Sequence, residues 1–286
     1  GRGVLVALFS GEMWPVDVAF PVLHGTYGED GTIQGLLEMM DVPYVGCDHT
    51  ASANCMDKVL TKQLLRDAGL AVSLWLTVMA DGGGDDVNLV EETLGWPVFV
   101  KPARLGSSVG ISKVSGPADV RRALEAAFRY DDKVLIEAFM PGREIECAVL
   151  GNTVPRAAVP GEVIPSGVHG FYSYAAKYLD EQGACLVAPA ELDQNTVAQT
   201  QEAAVKAFLA LGCSGMARVD FFLLPQGKLV VNEINTIPGF TRISMYPRLW
   251  QLSGLSYAEL VAELVHLGET RHACRAALCT DVSARA

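Results

Sequence analysis

Four polar side chains that could hold a metal ion lie on two strands predicted near the C-terminal end of the chain. Arg218 and Asp220 alternate along the first strand, and Glu233 and Asn235 along the second. If Gln226-Gly227 forms a two-residue turn, Asp220 lies opposite Glu233. The same register places Arg218 opposite Asn235, with all four on one face. Two adjacent carboxylates repel unless a cation joins them, and Asp, Glu and Asn oxygens suit Mg²⁺. The alternative is a solvated hairpin face, but unpaired charges on otherwise apolar strands are costly.

A lysine at the end of a buried strand is followed by a loop of glycine and serine. Lys101 ends the apolar segment 97–101, and Gly106-Ser107-Ser108-Val109-Gly110 precedes a further strand at 111–114. The backbone N–H groups and hydroxyls of such a loop can bind phosphate oxygens, although the sequence matches neither GxxxxGK[ST] nor GxGxxG. Strands on both sides indicate a hairpin that closes over phosphates. The alternative is a flexible turn between paired strands.

The segment after the next strand has residues that suit a nucleoside. Glu137 ends an apolar strand, and Phe139 and Met140 follow it. Their backbone could bind the edge of adenine, and Glu144 could hold ribose hydroxyls. A strand that simply leaves the core explains the same residues equally well.

The long segment 165–182 is polar and aromatic, without a clear period. It carries Tyr172, Tyr174, Lys177 and Tyr178, which could form a lid that excludes water. The alternative is a surface loop anchored by its aromatic side chains.

Two more positions could bind an anion or a small substrate. Gly239 and Ser244 lie in a segment that directly follows the predicted metal ligands, and a glycine amide with nearby hydroxyls suits a carboxylate. His24 follows the apolar segment 16–23, which we expect to be a strand, although a lone histidine is more often structural.

Composition limits what these residues can serve. The chain has 286 residues, 50% of them hydrophobic, and a formal charge of −11. A net acidic chain is a poor general binder of nucleic acid, and no apolar run reaches the ~18–20 residues of a membrane span. Seven scattered cysteines without a CxxC pair argue against a zinc site or a disulfide framework. They indicate reduced thiols and a cytoplasmic protein.

The alternation of predicted strands and helices favours an α/β fold built from α+β lobes. Residues 1–50 look like the remnant of an N-terminal α/β domain. Residues 51–140, beginning with a helix predicted over 51–68, form a central lobe. Residues 141–268 form a second lobe that contains the metal site. Residues 269–286 form a tail without an apolar face, which we expect to be disordered.

The order of these motifs resembles the ATP-grasp superfamily, and specifically the D-alanine–D-alanine ligases. The matching stretches run from about residue 17 to 268, and they are His24-Gly-Thr-Tyr-Gly-Glu-Asp-Gly-Thr-Ile-Gln-Gly35, Met56-Asp-Lys58, Val100-Lys-Pro102, Gly106-Ser-Ser-Val-Gly110, Leu135-Ile-Glu137, Ala176-Lys-Tyr178, Arg218-Val-Asp220 and Asn232-Glu-Ile-Asn-Thr-Ile-Pro-Gly239. No single motif is decisive, but eight in the same order make a chance match very improbable.

The resemblance implies an ATP-grasp fold with a truncated N-terminal Rossmann-like α/β domain. It implies that ATP phosphorylates the carboxylate of one D-alanine, and that the amine of a second D-alanine attacks the acylphosphate. The product would be the dipeptide used in peptidoglycan synthesis. Two Mg²⁺ ions would assist, with Mn²⁺ as an alternative, and a homodimer would fit the family. No nucleic acid or membrane partner is expected.

The resemblance also assigns roles to individual residues. The implied ATP ligands are Lys58, Lys101, Glu137, Phe139, Met140, Glu144 and Lys177. The implied metal ligands are Asp220, Glu233 and Asn235. The implied catalytic residues, for the oxyanion and for closing the lid, are Arg218, Gly239, Ser107 and Tyr178. The implied substrate contacts are His24, Ser244 and Met245.

The sequence departs from the family pattern at its front. The family has an N-terminal strand and a Gly-rich turn that carry a glutamate, which binds the amino group of the first D-alanine. Glu12 and Glu29 are present, but neither lies in that context. The chain therefore looks truncated, and an inactive fragment is one alternative. A second is a D-alanine–D-serine ligase of the vancomycin-resistance type. A D-lactate ligase is less favoured because of Lys177-Tyr178.

Overall fold

The computed structural model describes residues 3–82, 87–106, 109–165 and 184–279. The first elements are a hairpin and a helix: β1 (Gly3–Val6), β2 (Met13–Val16) and α1 (Thr32–Met39). The strand predicted over residues 16–23 is wrong, because β2 ends at Val16 and residues 17–23 are irregular apart from one parallel bridge between Ala19 and Tyr44.

Asp57 divides the region predicted as one helix into two, α2 (His49–Met56) and α3 (Lys58–Asp67). Its carboxylate accepts hydrogen bonds from the backbone N–H groups of Val59 and Leu60, which is N-terminal capping of α3. Because α3 begins at Lys58, that lysine is held at a defined position in the first turn. The backbone N–H of Lys58 also donates to the carbonyl oxygen of Ala103, which ties α3 to the following sheet.

The central lobe is a four-stranded antiparallel sheet with two helices against it. In spatial order its strands are β3, β6, β4 and β5. The elements of the lobe, in chain order, are β3 (Trp75–Met79), α4 (Val87–Leu94), β4 (Val98–Pro102), β5 (Ser112–Val114), α5 (Val120–Ala127) and β6 (Lys133–Ala138). Valines of the strands and the apolar faces of α4 and α5 form its core. The sequence patterns predict neither β3 nor α4.

The second lobe is a six-stranded sheet in the order β10, β9, β7, β11 and β12, with β8 paired to β7. Its strands are β7 (Arg143–Gly151), β8 (Arg156–Ala157), β9 (Gly161–Pro165), β10 (Ala184–Val187), β11 (Gly215–Leu223) and β12 (Leu229–Asn235). Three helices pack on it: α6 (Gln194–Ala210), α7 (Met245–Leu252) and α8 (Tyr257–Ala276). The carboxylate of Asp193 caps α6 by accepting from the backbone N–H groups of Asn195 and Thr196.

The two faces of this sheet have different neighbours. Odd-numbered residues of β7 and β11, such as Ile145 and Val219, pack with Phe208 of α6. On the other face, Leu150 and Met216 pack against α7 and α8. That covering ends partway along the strands, so the remaining even-numbered residues open onto a cavity.

Helix α8 overturns part of the prediction for the tail. The helix continues to Ala276, so a disordered tail is wrong for residues 269–276. Arg271 donates to Ser214 Oγ at 2.9 Å and lies over the ring of Tyr44, and Arg275 pairs with Glu38 of α1. These contacts explain why a segment without an apolar face is ordered. None of the helices in the described ranges has the length and apolar character that a membrane crossing requires.

Candidate active site

The hairpin of β11 and β12 brings together the four polar residues predicted to share a face. Arg218 pairs with Asn235, and Asp220 with Glu233. The predicted two-residue turn is wrong, however. The backbone N–H of Leu224 donates to the carbonyl oxygen of Lys228 across a three-residue loop, residues 225–227. Gly227 in this loop adopts a φ of 79°.

A bulge in β12 restores the predicted register. Phe221 pairs with Val231, whereas the next position, Asp220, pairs with Glu233. Asn232 is therefore the extra residue of a β-bulge. The longer loop shifts the pairing by one residue, and the bulge shifts it back before the strands reach the polar residues.

Three carboxylates form a row across neighbouring strands. Glu146 of β7 pairs with Asp220, which pairs in turn with Glu233, so the three project from one face of the sheet. Arg218 lies beside this row. Its Nε and Nη2 donate to the two oxygens of Asp220 at 2.7 and 2.6 Å, and its Nε lies 3.2 Å from Glu146 Oε2. Burial opposes the charge of Arg218, but the two carboxylates outweigh it and raise the pKa of the guanidinium.

The donor set of this row fits a hard divalent cation. Asp220 and Glu233 are adjacent, and Asn235 Nδ2 donates to Asp220 Oδ2 at 2.9 Å, which places a third polar group beside them. In the described part of the chain, no three His, Cys, Asp or Glu side chains form a complete metal cluster. Two carboxylates and an amide are instead an open set, which Mg²⁺ completes with phosphate oxygens and water.

Positive charge lies on the opposite wall of the cavity. Lys58 donates to the carbonyl oxygen of Leu105 at 2.5 Å, and Lys101 pairs with the buried Glu137. Burial raises the pKa of Glu137, but Lys101 and Lys62 outweigh it and hold this pKa far below its ordinary value. Glu137 is therefore a carboxylate at any physiological pH.

One cavity of about 870 Å³ joins these two walls. This volume is suited to a small-molecule ligand. Its lining includes residues of both lobes, and those predicted from the sequence are Lys58, Lys101, Glu137, Phe139, Met140, Glu144, Arg218, Asp220 and Glu233. The ring of Phe139 lies 6.1 Å from that of Phe99 and carries Lys113 Nζ 4.6 Å above it. An apolar wall with a few polar groups is what a nucleoside needs.

The loop that follows β12 forms a small polar turn before α7. Ser244 Oγ accepts from the backbone N–H of Thr241 at 3.0 Å and lies 2.8 Å from its hydroxyl. Gly239 lies beside Ser244, and a Cβ on Gly239 would come within 3.0 Å of Ser244 Oγ. The Met245 side chain is buried in the core, so its backbone is the part left for a substrate contact at the start of α7.

Sequence reasoning missed Glu146 of the carboxylate row, and it also missed Glu29 near the site. Glu29 Oε2 accepts from the backbone N–H of Gly25 at 2.6 Å, and Glu29 lines a smaller cavity together with Glu233 and Asn235. Its burial raises its pKa. The feature of the sequence that could have identified Glu29 is its position within the His24–Gly35 motif. The side chain of His24, in the same motif, is exposed. The predicted site residues Ser107, Lys177 and Tyr178 lie outside the described residues.

Comparison with known proteins identifies the family of this chain. The model of the D-ala D-ala ligase N-terminus matches residues 7–47, and that of the C-terminus matches residues 64–266. The chain belongs to the D-alanine–D-alanine ligase family. A family member named D-alanine–D-alanine ligase A from Chromobacterium violaceum is 54% identical over 253 residues, which are 88% of this chain and 69% of that protein. The Escherichia coli K12 protein of the same name is 50% identical over 268 residues, 93% of this chain and 73% of that one.

Solved structures agree with this assignment and with the predicted ATP-grasp fold. The D-alanine–D-alanine ligase from Coxiella burnetii superposes with a TM-score of 0.86 at 40% identity, covering 100% of this chain and 79% of that one. The VanG D-Ala:D-Ser ligase from Enterococcus faecalis gives 0.84 at 39% identity, covering 93% and 79%. The family therefore includes relatives that differ in their second substrate.

Proposed function

We propose that this protein is an ATP-dependent ligase that joins two D-alanine molecules and releases ADP and phosphate. The observation that carries the proposal is the pair of facing walls. A row of carboxylates lies on one side of the cavity, and Lys58 and Lys101 lie on the other. A magnesium–polyphosphate complex is complementary to both walls at once. The relatives that are 50–54% identical over most of the chain are named for the same reaction.

The residues act mainly by positioning and by neutralising charge. Lys58 and Lys101 hold the phosphates of ATP, and Phe139, Met140 and Glu144 frame the nucleoside. Asp220, Glu233 and Asn235 would hold two magnesium ions. Bound magnesium supplies Lewis-acid stabilisation of phosphate charge.

Ligation then proceeds through an acylphosphate. The carboxylate of the first D-alanine attacks the γ-phosphorus and ADP leaves. The amine of the second D-alanine attacks the acyl carbon, loses a proton and expels phosphate. Arg218 and the N–H of Gly239 stabilise the oxyanion that develops on the acyl oxygen. His24 and Ser244, with the backbone of Met245, contact the two substrates. The family resemblance implies that Lys177 contacts the γ-phosphate of ATP, and that Ser107 and Tyr178 belong to a hydrogen-bonded set that closes the lid over the first substrate.

D-serine is the second candidate for the attacking amine. The structural similarity to the VanG D-Ala:D-Ser ligase, with a TM-score of 0.84, favours D-serine as this second candidate. D-alanine and D-serine differ by one hydroxyl, a difference that a pocket discriminates weakly. D-lactate ligation and an inactive fragment are the remaining alternatives. A cytoplasmic homodimer without nucleic-acid or membrane partners is the proposed setting.

The test is phosphate release from ATP with Mg²⁺ and D-alanine, with the dipeptide identified by mass spectrometry. We expect release that depends on both D-alanine and Mg²⁺, and a D-alanyl-D-alanine product. Parallel reactions containing D-serine or D-lactate beside D-alanine measure the choice of second substrate. If D-alanyl-D-serine or D-alanyl-D-lactate predominates over D-alanyl-D-alanine, the second substrate is D-serine or D-lactate. ATP hydrolysis that does not depend on D-alanine would refute the proposal.

A further inference from the structure

A buried lysine and a half-buried lysine share a single carboxylate at the nucleotide wall of the cavity. Lys62 of α3 pairs with Glu137 Oε1, and Lys101 of β4 pairs with Glu137 Oε2. Ser73 donates to the same carboxylate and accepts from Lys62 Nζ at 2.7 Å. The Lys62 ammonium also lies 5.9 Å from the centre of the Trp75 ring.

The two lysines differ in their access to the cavity. Lys101 lines the cavity and has a side chain that is 12% exposed, whereas that of Lys62 is 2% exposed and is separated from the cavity by Glu137. Lys101 can therefore reach a ligand. Lys62 is enclosed by Ser73, Trp75 and Glu137.

The proposed function asks Lys101 to bind nucleotide phosphates, and this creates an electrostatic problem. If Lys101 were the sole partner of Glu137, moving it would leave a buried carboxylate unpaired, and an unpaired buried charge is strongly destabilising. A second, enclosed cation removes that penalty.

We infer that Lys62 is the fixed counter-ion of Glu137, which allows Lys101 to exchange from Glu137 to the nucleotide phosphates. Lys62 is thus a positioning residue, which acts through Glu137 and Lys101 without touching the ligand. The inference rests on the proposed nucleotide site. It predicts a loss specific to ligands that carry phosphates, since adenosine makes no demand on Lys101.

Calorimetric titration of the chain with MgADP, and a parallel titration with adenosine, test the inference. For Lys62→Met we expect MgADP binding to weaken up to about tenfold, because the variant loses at most the contact of Lys101 with the phosphates. Adenosine binding stays at the level of the unsubstituted protein. Adding Glu137→Gln to Lys62→Met restores much of the MgADP affinity, because no carboxylate then competes for Lys101. Lys62→Arg, which keeps the charge, preserves binding.

A matched control is Lys133→Met. Lys133 lies on the same strand as Glu137 and pairs with the buried Asp57, but it does not line the cavity. It should bind both ligands normally.

Several outcomes would overturn the inference. Equal losses of MgADP and adenosine in Lys62→Met would show a purely structural role, and so would a double variant that binds no better than the single one. If Lys62→Met binds MgADP as tightly as the unsubstituted protein, Lys62 has no role in nucleotide binding. If Lys62→Met does not fold, Ser73→Ala decides between the same outcomes on a smaller scale. Failure of the unsubstituted chain to bind MgADP would instead refute the proposed function itself.

Discussion

The two walls of the cavity carry opposite excesses of charge. On the six-stranded sheet, the row of Glu146, Asp220 and Glu233 is accompanied by Arg218. On the other side, one carboxylate, Glu137, lies among an excess of positive charge from Lys58, Lys62 and Lys101. Lys62 and Lys101 pair with it directly. A protein with a net charge of −11 can therefore still bind a polyphosphate, since the local arrangement of charge decides the ligand.

The two charged groups also differ in how firmly their partners are fixed. The carboxylate row opens onto the cavity, and Arg218 donates to both oxygens of Asp220 there. The Glu137 group is enclosed on the Lys62 side and open on the Lys101 side. The Glu137 group therefore has one enclosed partner, Lys62, and one partner that reaches the cavity, Lys101.

Loss of a magnesium ligand gives the largest expected effect. Asp220→Asn should reduce D-alanine-dependent phosphate release by about 10³-fold or more, because metal stabilisation of phosphate charge is worth several kcal/mol. Asp119→Asn is the matched control, since Asp119 forms an exposed pair with Arg122 on the surface. Activity retained in the Asp220 variant would break the assignment of the carboxylate row to metal binding.

Removing the central carboxylate of the lysine group should destabilise the fold. Glu137→Leu leaves the buried ammonium group of Lys62 without its carboxylate partner, and we expect the free energy of unfolding to fall by about 3 kcal/mol. Urea denaturation measures this change. Glu125→Leu, on the exposed side of α5, controls for the loss of a glutamate. A Glu137 variant as stable as this control would contradict the enclosed ion group.

Lys101 should matter for the ligand more than for the fold. In Lys101→Met, Glu137 keeps Lys62 and Ser73 as partners, so stability stays close to that of the unsubstituted chain. The Kd for MgADP should rise about tenfold, the loss of one charged contact worth ~1.4 kcal/mol. Lys228→Met, in the exposed hairpin loop, is the control. A destabilisation as large as that of Glu137→Leu would mean that Lys101 is not exchangeable.

The pair of Asp220 and Glu233 was predictable from the sequence because both residues lie on one hairpin, whereas Glu146 on the distant strand β7 was not. The period of two along a strand fixes which of them share a face. The turn was wrong, yet the register at Asp220 was right, because the three-residue loop and the bulge at Asn232 cancel. Nothing in the pattern of hydrophobic residues signals such a compensation.

The lysine group was not predictable in the same way. Lys62 lies on an amphipathic helix, where a lysine normally faces solvent. Its burial depends on Ser73 and on Glu137, which is 75 residues away in the sequence, and on strand β3, which the patterns do not predict. Long-range packing decides that a charge is buried. For Glu29, the motif that contains it was recognisable in the sequence, but the position of its side chain near Glu233 was not predictable.

The smallest expected effect is the pH dependence of the Glu137 group. The pKa of this carboxyl is lower in the folded protein than its ordinary value of 4.5, so protonation favours the unfolded state. The group's contribution to stability is complete above about pH 4.5 and is lost as the pH falls toward the depressed value. The difference in unfolding free energy between the unsubstituted chain and Glu137→Gln should thus be constant from neutral pH down to about 4.5, and shrink below it. If that difference already shrinks near neutral pH, the two lysines do not hold Glu137 ionised, and the contrast between the two walls of the cavity loses its physical basis.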